Sequence, residues 1–354
     1  MTQIDKKASL KTPADSPAAF AATLINWFEK HQNDLPWRRT RDPYAVLVSE
    51  FMLQQTQVST VLNGRYFERW LEAFPDVRSL AEADTERVLR AWEGLGYYRR
   101  ATNLQRAAKQ ICQENNGEFP AVLEEIADLP GVGRYTAGAV FSLAFDRPAP
   151  IVDANVARVF SRLFAMQEHI DSSAGRHKLW EYATELVPQK HPRAFNSGLM
   201  ELGQKICTPS QPECRACPVS RWCRCEHPAD FPKKKPRKLA QPVTETVYFA
   251  RRSDDGHVLV TREHGNRRTG LYRLPTAGAD AATWPLLLTT NYSITRYRVT
   301  LRCLGAPAGY LPPVLTTGEE QPAWCSPQTL QTLPMGAPFR KVLRHLLHET
   351  SMET

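Results

Sequence analysis

Residues 129–136 read Leu129-Pro130-Gly131-Val132-Gly133-Arg134-Tyr135-Thr136, between two stretches of helical pattern. Two glycines let a backbone turn tightly and approach another group closely. A helix starting directly after such a turn presents its first N–H groups outward, where they can take a phosphate. Twenty residues beyond Gly133 stands Asp153, in Ile151-Val152-Asp153-Ala154-Asn155-Val156-Ala157-Arg158-Val159. An ordinary helix–helix turn would account for the hairpin alone. Such a hairpin between two helices is also a device for holding a phosphate backbone.

Downstream, Cys207, Cys214, Cys217 and Cys223 are spaced C-x6-C-x2-C-x5-C. Structural zinc usually takes two close cysteine pairs separated by a longer loop. Here one close pair is flanked by a single cysteine on each side. That pattern suits the corners of a [4Fe–4S] cube held by thiolates. A zinc site, or cysteines that merely cluster, are the alternatives. Cys112, Cys225, Cys303 and Cys325 form no disulfide framework, although Cys225 is near enough in sequence to stand in for Cys223.

A length of 354 residues is ample for two or three domains. Hydrophobic residues make up 42% and charged residues 23%, a globular balance, and no apolar run approaches the length of a membrane span. The stretch Met1 to Lys11 is polar and lacks a signal-peptide core. Reduced cysteines with a cluster fit a reducing compartment, so a cytoplasmic, nucleoid-associated, bacterial-type location is expected. Net charge is +8, unevenly spread: residues 1–225 carry 28 Lys and Arg against 26 Asp and Glu, whereas 226–354 carry 17 against 11. Lys233, Lys234, Lys235, Arg237 and Lys238 supply most of that excess and read as both linker and phosphate contact. Any affinity of the first part for a polyanion must therefore come from placed groups.

Residues 17–205 read as helices. Ser16-Pro17 offers a cap and first position for a helix to about Lys30, and Pro43 starts another through Met52. Further helices are predicted near 65–73, 85–92, 97–115 and 134–145, from Asp153, and before the cysteines around Phe195–Leu202. Residues 226–242 are rich in Pro and Lys and read as a linker. Beyond it Thr244–Ala250, His257–Thr261 and Ile294–Leu304 have strand character, and Phe339–Leu347 is helical. The expected fold is multidomain: a tail over 1–16, an all-α core over 17–225 with the cysteine loop at 207–223, the linker, and a small α+β domain over 243–350.

Two carboxylates stand out. Glu50, in Ser49-Glu50-Phe51-Met52-Leu53-Gln54-Gln55-Thr56-Gln57, lies among apolar helix neighbours. Burial would raise its pKa and leave it a proton donor, whereas on an amphipathic surface it would do neither. Asp153 is placed to cap a helix. A carboxylate there is favoured as an anion, which an oxocarbenium-like sugar needs beside it.

With Leu35-Pro36-Trp37-Arg38, Met52-Leu53-Gln54-Gln55-Thr56-Gln57-Val58 and Gly94-Leu95-Gly96-Tyr97-Tyr98, these motifs resemble the endonuclease III superfamily of helix-hairpin-helix DNA glycosylases, and within it the MutY adenine glycosylases. The resemblance is dense over roughly 17–225 and looser beyond. It implies a monomeric enzyme that holds a [4Fe–4S] cluster and hydrolyses the N-glycosidic bond of adenine mispaired with 8-oxoguanine or guanine in duplex DNA. In it Glu50 is the acid, Asp153 supports the sugar cation, and Tyr135 and Asn155 assist. Gln54 and Tyr97 wedge into the duplex, Trp37 and Arg38 wall the adenine pocket, and Gly131 and Gly133 form the hairpin.

The chain departs from the family in places. After Phe195-Asn196 it has Ser197 where MutY proteins carry Gln or Glu, which reaches less far toward the adenine amino group. The family's Phe-Ser-His loop, which reads 8-oxoguanine, matches Ile294-Thr295-Arg296, where only the Thr295 hydroxyl is kept. About two extra residues, Asn63-Gly64 among them, lengthen a turn. The C-terminal domain resembles the MutT-like module, without the glutamate-rich metal helix of a pyrophosphatase between Gly270 and Trp284. Endonuclease III-like enzymes place a lysine where this chain has Tyr135. A phenol forms no Schiff base, so base removal without efficient strand cleavage is expected. A bifunctional glycosylase/lyase for oxidised pyrimidines and a non-catalytic, cluster-bearing DNA-binding protein are the rival readings.

Overall fold

Proline opens several of the long helices, where a missing N–H costs nothing and the fixed φ is already helical. Pro17, Pro43 and Pro192 start α1 (Pro17–His31), α2 (Pro43–Leu53) and, later, α12 (Pro192–Lys205). The structure is a computed structural model, and it describes residues 13–236, 239–264, 268–312 and 322–349. The predicted tail therefore lies outside the described residues up to position 12, as do Arg237 and Lys238 of the basic run and residue 350.

Between α2 and α12 run α3 (Val58–Asn63), α4 (Tyr66–Ala73), α5 (Val77–Glu82), α6 (Thr85–Ala91), α7 (Arg99–Glu114), α8 (Leu123–Ala127), α9 (Arg134–Phe145), α10 (Ala154–Leu163) and α11 (Ser173–Leu186). Ser16 precedes α1 as expected, but its side chain makes no capping bond. Caps are made instead by Asp42, Asp84, Asp153 and Ser172 at α2, α6, α10 and α11.

The chain divides into two compact units. One comprises residues up to 58, 74–78 and 106–236, and the other 59–73, 79–105 and the chain from 237. The second unit thus groups α4, α6 and the start of α7 with the C-terminal segment. In the first unit α12 packs against α1, α9 and α10. Phe20, Leu24, Val156, Val159, Phe160, Phe195, Leu199 and Trp222 form its core, against which the cysteine loop rests. α2 is buried almost all round, from Tyr44 to Met52, and packs on α9.

The second unit continues with β1 (Gln241–Phe249), β2 (Val258–Arg262), β3 (Tyr272–Arg273), β4 (Leu286–Ile294), β5 (Tyr297–Gly305), β6 (Ala323–Cys325), α13 (Pro327–Thr332) and α14 (Ala337–Glu349). One sheet has the order β1-β5-β4, with β1 parallel and β4 antiparallel to β5; the other is β3-β2-β6, antiparallel throughout. Val342, Leu343 and Leu346 of α14 close over Val247, Val258 and Leu301. The strand predicted as one piece over 294–304 is the end of one strand and the whole of the next. Ile294 pairs with Tyr297, so Thr295 and Arg296 are a two-residue hairpin turn. Between 270 and 284 the described chain forms β3 and a short 3-10 turn, Ala279–Thr283.

Candidate active site

Glu50 sits on the buried helix α2 and is 5% exposed. Tyr135, on the first turn of α9, lies beside its carboxyl. Burial pushes the Glu50 pKa up to about 7, the nearby Tyr135 hydroxyl lowers it, and the Asp153 charge raises it. Near neutral pH Glu50 is therefore about half protonated, as a proton donor must be. Tyr135 is driven well above its usual range, first by burial and then by the charges of Glu50 and Asp153, so it stays a neutral phenol. Its hydroxyl also lies 3.7 Å from the Met200 sulfur.

Asp153 caps α10. One carboxylate oxygen accepts the Val156 N–H at 2.6 Å and the other accepts from Asn155 Nδ2 at 2.9 Å. These bonds and the Arg158 charge favour its anion, yet burial outweighs them and raises its pKa. The cap and its hydrogen bonds favour the anion as expected, and burial acts against them.

Behind Asp153 a polar chain runs to the cysteine loop. Arg158 Nη2 donates to Asn155 Oδ1 at 2.9 Å and to the Gly203 carbonyl at 2.8 Å, and Nε donates to the Cys207 carbonyl at 2.8 Å. Gly203 is needed there, because a Cβ would stand 2.7 Å from the Asn155 Cβ. Arg162, one turn on, donates to the Cys207 sulfur at 3.3 Å and to the Thr208 and Pro209 carbonyls.

Cys207, Cys214, Cys217 and Cys223 line one cavity of about 270 Å³, together with Cys225, Arg162 and Val219. Burial pushes the Cys217 thiol up to about 12, and the neighbouring cysteines add to that rise. Four cysteine sulfurs lining one space are the donor set that a thiolate-held cluster takes, so donor set and cavity fit one.

The hairpin is built as its glycines require. Gly131 has φ +79°, and Gly133 caps α9 with no side-chain bond to the helix N–H groups. Gly131 and Gly133 are exposed, so the start of α9 is open. Arg134 stacks its guanidinium 4.0 Å from the Trp180 ring centre.

Gln54 follows α2, with Nε2 3.4 Å from Thr136 Oγ1. Trp37 is buried. Arg38 is committed to the fully buried Glu201 at 2.7 Å and to the Asn33 carbonyl. Lys205 also reaches Glu201, at 3.0 Å. Ser197 is buried on α12, beside Asn196, which donates to Ser142 Oγ and the Ala149 carbonyl. In the second unit Tyr97 is 46% exposed, and Thr295 occupies the β4–β5 turn. Arg158, Arg162, Met200 and Glu201 were not singled out from sequence. The run Asp153, Asn155, Arg158, Arg162 along one helix was the signal available for the first two.

The model of the HhH-GPD superfamily of base excision DNA repair proteins matches residues 48–185, which hold Glu50, the hairpin and Asp153. The solved structure of a thermostable thymine-DNA glycosylase is 32% identical, over 59% of this chain and 95% of that one, with a TM-score of 0.54. The chain belongs to the HhH-GPD superfamily. A trapped endonuclease III–DNA covalent intermediate shares the superfamily fold at a TM-score of 0.51 and 24% identity, over 60% of this chain and 95% of that one. Among curated relatives, the adenine DNA glycosylase of Rattus norvegicus is 45% identical over 58% of this chain and 41% of its own length. That of Arabidopsis thaliana is 35% identical over 73% of this chain and 48% of its own. The chain thus spans less than half the length of these relatives.

Proposed function

We propose that this protein is a monofunctional adenine DNA glycosylase acting on adenine paired with 8-oxoguanine or guanine in duplex DNA. The observation that carries the reading is the buried Glu50, with a pKa near 7, electrostatically coupled to Tyr135 and Asp153. The likeness to adenine DNA glycosylases supports the choice of base.

A stacked adenine hides its glycosidic bond, so the nucleotide must leave the duplex. Glu50 gives its proton to a ring nitrogen, and the base departs with the bonding electrons. Asp153 faces the sugar cation, whose charge favours the carboxylate over the acid and offsets the burial that raises its pKa. Water then adds to the sugar. This is two-carboxylate glycoside chemistry on a nucleoside. Tyr135 orients Glu50 and, being a phenol, forms no Schiff base. Cys207, Cys214, Cys217 and Cys223 would hold a [4Fe–4S] cluster, which supplies no bond-making step and fixes the 207–223 loop. The open start of α9 takes a phosphate.

On the same reading 17–225 is the catalytic domain, 226–242 a basic linker, and 243–350 a MutT-like lesion reader. The protein acts as a cytoplasmic monomer. A single-turnover assay on adenine opposite 8-oxoguanine, guanine and thymine tests it, with borohydride trapping in parallel. Release from the first two without a trapped adduct is expected. A trapped adduct, or release of oxidised pyrimidines in place of adenine, would refute it.

A further inference from the structure

Tyr97 is an exposed aromatic at φ +46°, in a short loop where Gly94 and Gly96 also have positive φ. A bulky L-residue there costs on the order of 1 kcal/mol or more, and such strain persists only where the surroundings over-determine it. Part of the restraint is internal. Arg100 donates to the Leu95 and Gly96 carbonyls, Trp92 Nε1 donates to Gly96, and the Arg100 guanidinium lies over the Trp92 and Tyr97 rings.

The two ends of the loop are held by the C-terminal segment, and all these residues belong to the second unit. On the near side, Arg340 of α14 grips Glu93 with two bonds, Nε to Oε1 at 2.9 Å and Nη2 to Oε2 at 3.0 Å. That fork is nearly closed to water, with Arg340 and Glu93 side chains 11% and 13% exposed. Arg340 is fixed in turn by the Leu330 and Leu333 carbonyls. On the far side, the buried Tyr98 hydroxyl donates to the Met335 carbonyl at 3.2 Å.

We propose that Arg340 is a positioning residue for the duplex wedge: through Glu93 it sets the 94–98 loop so that Tyr97 can enter the base stack, and so makes base extrusion depend on the C-terminal segment. Bidentate charge-assisted pairs fix orientation as well as proximity, which a lysine cannot do. The inference rests on the reading that Tyr97 enters the duplex. The pair is a device distinct from lesion reading, because it would act on any duplex that the wedge opens.

The test uses the full chain and a duplex with 2-aminopurine beside the mispaired adenine, whose fluorescence reports unstacking. Arg340→Gln should cut the unstacking amplitude and the single-turnover rate at saturating enzyme by about tenfold, as expected if the competent loop falls to a tenth of the population. Affinity for undamaged duplex and a cooperative melt should be kept. Glu93→Gln lies outside the C-terminal segment and leaves Arg340 its two carbonyls, so it separates positioning from loss of folding. It also releases Arg90, which pairs with the same carboxylate, so its defect should be at least as large, and adding Arg340→Gln should worsen it little, because Arg340 acts through Glu93. Arg340→Lys, with charge but no fork, should recover only part. Tyr97→Ser is the control. If it abolishes unstacking while folded Arg340→Gln and Glu93→Gln proteins unstack normally, the positioning role is wrong and the wedge stands. If Tyr97→Ser also unstacks normally, the wedge reading itself falls, and the proposal with it.

Discussion

Tyr135, in the first turn of α9 directly behind the hairpin, lies close enough to the Glu50 carboxyl of the buried helix α2 for each group to shift the other's proton affinity. The start of the hairpin helix and the buried acid are thereby coupled. Burial raises the acid and the tyrosine opposes part of that rise, so Glu50 stands near 7.

That value sets a pH profile. On the proposed mechanism the acid form of Glu50 is the active one, so the single-turnover rate should be level below about 7 and fall as pH rises beyond it. Glu50→Gln keeps the shape but has no acidic proton, and the rate should drop by about 10²–10⁴ with duplex binding retained. Rates across pH 5–9 for both proteins check this. Unchanged adenine release by the Gln variant would remove Glu50 from the mechanism.

The same burial has a stability consequence. Glu50 is raised from an ordinary 4.5 to about 7 in the folded chain, so the folded state binds its proton more tightly than the unfolded. Stability from this group is full below 4.5 and is lost as pH climbs through 7. Glu50→Gln should escape that loss. It should melt above the parent at pH 8, by an amount worth up to a few kcal/mol, and close to it at pH 5. Equal melting differences at the two pH values would show that Glu50 is solvated.

Asp153 has two duties that one substitution separates. Asn caps a helix about as well as Asp, so Asp153→Asn should keep the bond to the Val156 N–H and the melting temperature. It cannot offer an anion to a sugar cation, so base release should disappear. An inactive variant that also melts much lower would mean that the residue is needed for folding alone.

The elements legible in the sequence were those written locally. Pro17 and Pro43, the two hairpin glycines and the cap at Asp153 act through their own backbone, and each stands where the sequence placed it. Glu50 was legible because its neighbours on every side of the helix are apolar. Arg158, Arg162 and Glu201 were not, because what gives them meaning lies across the fold: the Cys207 and Gly203 carbonyls, the Cys207 sulfur and Arg38. The β4–β5 turn was missed for another reason. The break in alternation at Thr295-Arg296 is only two residues long, and the pair lacks the Asn or Gly that usually marks such a turn.

The cysteine loop gives a chemical prediction. Four cysteines lining one cavity supply the donor set of a [4Fe–4S] cluster. Anaerobically purified protein should be brown, with about four irons per chain. Cys214→Ser should lower iron content and DNA affinity together. Stoichiometric zinc without iron would refute the assignment.

On the proposed reading, the β4–β5 hairpin turn stands where the MutY resemblance puts an 8-oxoguanine reader loop. Thr295 lies at φ +51°, which a β-branched residue rarely adopts, and Arg296 turns back on its neighbour, donating to the Tyr297 hydroxyl at 3.1 Å. Its guanidinium also lies 5.3 Å from the Tyr297 ring centre. A turn occupied with itself presents one hydroxyl and a partly engaged cation. A phosphate contact from Arg296 would add affinity without base information. Preference for 8-oxoguanine over guanine opposite adenine should therefore be smaller than in relatives with the aromatic and histidine, and binding should fall steeply with salt. Arg296→Ala should flatten that salt dependence and leave the ratio of rates on the two mispairs unchanged. A strong preference in the intact chain that Thr295→Ala or Arg296→Ala abolishes would show that this turn reads the lesion with the residues it has.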